Sequence, residues 1–91
     1  MDLGHNIADI LGEDPKTLEQ KSLRAYLHNR LKELEIRIFH LSKKYGVKDI
    51  FEMDQKIKEG KLSEGCLEHY QELDSLEDER DHIVEALKKL A

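Results

Sequence analysis

Between Leu23 and Tyr45 the apolar side chains fall at Leu23, Leu27, Leu31, Leu34, Ile38, Leu41 and Tyr45, always three or four residues apart. That spacing is the seam of a long amphipathic helix, close to a heptad repeat, whose apolar edge needs a partner. Asp14-Pro15 is a start signal for it. The aspartate can cap the free amides, and proline fits the first turn, where its missing N–H costs nothing. No breaker follows until Gly46, which supplies the left-handed residue of a helix stop, with Val47 packing back. Residues 15–45 are therefore one predicted rod, roughly 45 Å long at 1.5 Å per residue.

A second stripe comprises Tyr70, Leu73, Leu76, Ile83, Leu87 and Leu90, with Arg80 counted as a seam position. It predicts a helix over residues 63–91, started by Ser63 and weakened by Gly65 in its first turn. Arg80 is expected to lay its stem on the core and hold its head in water. Residues 46–62 read as a short helical connector. Asp49 and Glu52 have capping-box spacing, Val47, Ile50, Phe51 and Ile57 form its inner face, and Gly60 stops it. Leu3, Ile7, Ile10 and Leu11 make residues 1–14 an amphipathic arm, too short to be a stable helix alone.

Two long helices around a short one predict an all-α fold: an antiparallel helical hairpin, a single domain over 1–91. Antiparallel stepping sets Leu41 against Tyr70, Ile38 against Leu73, Leu34 against Leu76, Leu27 against Ile83 and Leu23 against Leu87. Arg80 then falls beside Leu31, within reach of Glu35. A hairpin buries one seam per helix, yet Ile36, Phe39, Leu67 and Val84 lie off both seams. Two helices cannot cover these, so the expectation is a homodimer forming a four-helix bundle, or docking on another protein. The candidate partner interface is Ile7, Ile10, Leu11, Ile36, Phe39, Leu67 and Val84.

Charge sharpens this picture. Residues 1–15 carry four acids and no base, whereas 16–45 net +5, 46–62 balance, and 63–91 net −6. One long helix is basic and the other acidic, so they attract. With 91 residues and 38% of them charged, the chain has one small core at most, and oligomerisation is a common remedy at this size. Neither a signal peptide nor an apolar run of about eighteen residues is visible, so a cytoplasmic protein without membrane contact is expected.

Chemistry is sparse. Single Cys66 allows no internal disulfide and no cysteine metal cage. Of the five histidines, only His69 with Glu72 and His82 with Asp78 have helical ligand spacing, a common pattern on solvated helices. No nucleophile elbow or phosphate-binding glycine loop occurs. No catalytic residue, metal site or cofactor is assigned. Arg30, Arg37 and Lys44, spaced by sevens, are candidate phosphate contacts under an alternative reading. The plainer reading is a basic face meeting the acidic helix.

Lys44-Tyr45-Gly46-Val47, Phe51, Ile57 and Gly60, followed by Tyr70, Leu73 and a charged helical tail, resembles a group of small archaeal and bacterial helical proteins. They carry a KYG…F…I..G segment between two charged helices, and the resemblance covers residues 34–90. Many are uncharacterised, and some are read as antitoxins encoded beside a small toxin. The resemblance implies a toxin-like protein partner. Three readings follow: a non-enzymatic interaction protein of antitoxin or adaptor type, which is preferred; a small nucleic-acid-associated regulator using the basic helix; and a small all-helical enzyme.

Overall fold

A computed structural model describes Ile7 and residues 9–91, which contain helices and no strand. Helix α1 spans Pro15–Tyr45, α2 spans Ile50–Lys58, a 3-10 turn covers Glu64–Cys66, and α3 spans Leu67–Leu90. Ile7 and residues 9–11 are also helical and stop at Gly12. Of the expected apolar arm, Leu3 lies outside the described residues.

Local chemistry accounts for the boundaries of α1. The Asp14 carboxylate accepts from the Thr17 amide at 3.2 Å, satisfying one of the free N–H groups of the first turn. At the far end Gly46 adopts φ 64°, the Val47 amide donates to the Ser42 carbonyl at 2.9 Å, and the Gly46 amide donates to that of Lys43. This is the paired 6→1 and 5→2 closure of a Schellman motif. A Cβ at residue 46 would meet only the Lys56 ammonium at 3.6 Å, so the cost of filling it is conformational. Gly46→Ala is expected to lose about 1–2 kcal/mol in a urea melt, the penalty of a left-handed L-residue.

Helix α2 starts on Asp49, whose side chain accepts from the Glu52 amide at 2.8 Å. It ends in a second Schellman closure, at Gly60. Its orientation follows from two contacts with α3: the Ile50 amide meets Glu77 and Tyr70 meets Asp54. Helix α2 therefore runs antiparallel to α3 and parallel to α1. One end of the molecule is thus a three-helix bundle. Leu41, Met53 and Leu73 are wholly or almost wholly buried there, and Ile38, Val47, Ile50 and Cys66 complete the cluster.

Two sequence expectations are corrected here. Phe51 does not belong to the inner face of α2; it is 80% exposed, and Met53 is buried instead. The inward set is buried Ile50 and Met53 with half-buried Ile57, spaced three and four apart, and Phe51 stands one residue, about 100°, away from Ile50 around the helix. Helix α3 begins at Leu67 rather than Ser63, because Gly65 falls in a 3-10 turn held by the Cys66 amide on the Ser63 carbonyl.

Helix α3 packs antiparallel on α1. Tyr45 meets His69, Arg37 meets Glu72, Arg30 meets Glu79, and Arg24 donates to the Leu90 carbonyl. The Arg37 and Arg30 partners lie two residues from those that the expected register would place opposite. Leu34 and Ile83 are buried along this seam, whereas Leu23 is largely exposed. Arg80 does not reach Glu35; its guanidinium donates to neighbouring Asp81 at 3.0 Å. The whole molecule measures 60 × 21 × 19 Å, a rod with three helices at one end and fewer at the other.

Candidate interaction surface

The basic flank of α1 is spent largely on α3. Arg30 Nε and Nη2 grip both oxygens of Glu79, at 2.6 and 2.9 Å, and Arg30 also reaches Glu33. Arg37 holds Glu72 in the same forked geometry one heptad on. Pairing with Arg37 lowers the Glu72 pKa, and pairing with Arg30 lowers that of Glu79. Both guanidiniums are correspondingly raised by these hydrogen bonds. Lys44, the third member of the stripe, stands exposed with its ammonium 5.7 Å from the Tyr45 ring. Of the candidate phosphate contacts, then, Arg30 and Arg37 already hold carboxylates.

The residues set aside as off-seam divide into two groups. Ile36 is 51% exposed and Phe39 61%. They are three residues apart and so adjacent on the helix surface. The Lys43 ammonium lies 5.9 Å from the Phe39 ring. Leu67, too, is exposed. Val84, by contrast, is half-buried between the helices. Ile10 and Leu11 are exposed, and Ile7 lies beside Pro15, Leu18, Glu19 and Ser22 of its own chain.

Beyond α2 the space between α1 and α3 is uncovered. Arg24, His28 and Leu31 from one helix and Val84, Leu87 and Lys88 from the other line an open apolar groove that ends at Ala91. It exists because α2 has nine residues, about 13 Å, and shelters only the closed end of the hairpin.

One group of functional weight lies inside the fold and escaped the sequence patterns. Glu77 is 7% exposed, and its carboxylate accepts from the Ile50 amide at 2.8 Å. Ile50 is the first residue of α2, so a side chain of α3 satisfies a free amide of the connector. Burial raises the Glu77 pKa, with the Ile50 amide and nearby Arg80 acting in the opposite direction. Its signal was the stripe Cys66, Tyr70, Leu73, Glu77, Arg80, Val84, stepping by fours and threes, which puts an acid on an apolar edge.

Histidines do not converge. His69 pairs with Tyr45, and His82 sits exposed beside Asp78 at 3.6 Å. No three His, Cys, Asp or Glu side chains among the described residues cluster as metal ligands. No described helix is long and apolar enough to cross a membrane.

No curated protein and no solved structure matches the chain. A family model does match, along residues 1–91, and the chain accordingly belongs to the Uncharacterized protein MJ0235 family.

Proposed function

We propose that this protein is a non-enzymatic helical interaction module that works as a homodimer, its hairpins pairing into a four-helix bundle. The observation that carries this reading is the exposed Ile36–Phe39 pair on α1, with exposed Phe51 on α2. A chain this small gains from covering such surface with a second copy. The forked ion pairs of Arg30 and Arg37 with α3 favour a protein partner over nucleic acid, since they leave Lys44 alone of the three cations without a carboxylate. An adaptor or antitoxin role in the cytoplasm is the form of this reading that the resemblance implies. Its heterologous partner would be a small toxin, and co-purification of the two chains after co-expression tests that part.

The homodimer has a direct test. Sedimentation equilibrium of the full chain is expected to show a dimer at micromolar concentration. Phe39→Asp should shift it to monomer while circular dichroism shows the helix content retained, because the dimer contact would have to desolvate a carboxylate there. A wild-type chain that stays monomeric throughout the concentration range refutes the reading.

A further inference from the structure

Helix α1 carries a second run of positions spaced alternately four and three apart. Its first half is Leu18, Ser22, Ala25 and Asn29, and its second half is Lys32, Ile36, Phe39 and Lys43. All are exposed except Leu18, which is half-buried beside Ile7. Ile36 stands two residues from both Leu34 and Ile38, which are buried, and so about 160° around the helix from each. The run is therefore a second seam with heptad spacing, back to back with the buried one and uncovered along its length.

Side-chain size divides this seam in two. Ser22 and Ala25 make the first half narrow, whereas Ile36 and Phe39 make the second half wide. Two copies laid parallel would set wide on wide and narrow on narrow, with Lys32 against Lys32 and Lys43 against Lys43. Two copies laid antiparallel set wide on narrow throughout, which is how facing layers interdigitate without voids.

We propose that α1 of a second copy packs antiparallel on this seam about a two-fold axis between residues 30 and 31, with Ile36 of each copy on Ala25 of the other and Phe39 on Ser22. The contact is isologous, so each large side chain is matched twice by one rotation. Phe39 enters the space between Leu18, Ser22 and Ala25, where Ile7 adds an apolar wall. Asn29 meets Lys32 beside the axis, a polar layer that specifies register. At each end Lys43 lays its stem over Leu18. The helices overlap over residues 18–43, about 39 Å. Charge on the flanks selects the same register. Glu35 faces His28 of the other copy on one flank, and Glu19 faces His40 on the other, each imidazole offering an N–H to a carboxylate. Within the chain, neither Glu19 nor Glu35 has a hydrogen bond or ion pair among the described residues. A slip of one heptad in one direction would set Glu19 against Glu33. The opposite slip would set Glu33 against Glu33 and Glu35 against Glu35, and such like-charge contacts suppress the wrong pairings. This inference rests on the homodimer proposed above and names the surface and register of its contact, with the two α1 helices at the centre of the four.

Two experiments on the full-length chain test it. In sedimentation equilibrium, Ala25→Glu is expected to weaken the dimer at least roughly tenfold, since the contact would have to desolvate a carboxylate against Ile36. Ala25 is exposed in its own chain and glutamate is a good helix former, so circular dichroism should show the helix content unchanged. In the second experiment, Ala25→Cys and Ile36→Cys chains are mixed under oxidising conditions; native Cys66 is buried and serves as the silent background. A disulfide joining the two different chains is the expected product. Ile36→Cys linked to a second Ile36→Cys chain would mean parallel helices, and overturns the inference. A dimeric mixture that forms no mixed disulfide overturns it as well. If Phe39→Asp dissociates the dimer and Ala25→Glu does not, this inference falls and the homodimer stands. A wild-type chain that never dimerises removes both.

Discussion

Leu73→Ala is expected to cost 2–5 kcal/mol of folding stability, the usual range for truncating a leucine in a closed core. Leu73 is wholly buried at the end of the molecule where α1, α2 and α3 meet, in a cluster with Ile38, Leu41, Val47, Ile50 and Met53. Removing its branched end leaves a void that three helices cannot jointly collapse without moving α2. Leu87→Ala is the control, since Leu87 is half-buried in the open groove, keeps part of its surface in water, and leaves no sealed cavity. Chemical denaturation of the two variants side by side checks the contrast. Equal losses would show that the two ends of the hairpin are equally closed.

Glu77→Ala should cost about 1–3 kcal/mol, because it orphans the buried Ile50 amide. Glu77→Gln separates that hydrogen bond from the charge, for the amide oxygen of glutamine can still accept from Ile50. Burial raises the folded pKa of Glu77 above its ordinary value of 4.5. From 4.5 up to that raised value the folded state holds a proton that the unfolded state has lost. The contribution of Glu77 therefore falls as pH rises through this window and stays at its lower level above it.

Glu72 and Glu79 have the opposite sign, as their pKa values are lowered by Arg37 and Arg30. Asp54, held by Lys58, and Glu59, held by Lys61, join them. Stability from these four is complete above their ordinary values and is lost as pH falls through the lowered ones. Wild-type protein is thus expected to weaken in acid. Glu77→Gln should gain on wild type as pH rises from the ordinary glutamate value of 4.5 through the raised one, measured by urea midpoints. A difference independent of pH would show that Glu77 is not desolvated.

The parts of this fold that local chemistry determines could be read from the chain. Asp14-Pro15 and Gly46 bound α1 because a cap and a left-handed residue act within one turn of where they stand. Ile36 and Phe39 were legible as surface because they fall off a regular seam, whatever that seam packs on. Phe51 was misplaced for the converse reason. In nine residues the apolar side chains of α2 suit more than one face, and only docking against Leu73 and Cys66 selects Ile50, Met53 and Ile57. Glu77 was hidden in the run Glu77-Asp78-Glu79, where three acids share composition and only one points inward. The groove was not legible either, since it is defined by where α2 stops covering the hairpin, a tertiary outcome without a motif.

A rod closed by three helices at one end and open at the other responds to load in a directional way. Pro15 and Ala91 both lie toward the open end, while the chain reversal at Gly46 and the 3-10 turn lie at the closed one. Tension applied between residues 15 and 91 therefore pulls the two long helices apart sideways, peeling contacts in succession from Arg24–Leu90 to Arg30–Glu79 to Arg37–Glu72. The ruptures before α2 occur one at a time, so the hairpin opens like a zipper at low force until the peel reaches Glu77, which holds Ile50 at the start of α2. There α2 must be stripped from both neighbours together, and the resistance rises abruptly. The same asymmetry lets the open half yield to a partner while the closed half keeps the helices in register.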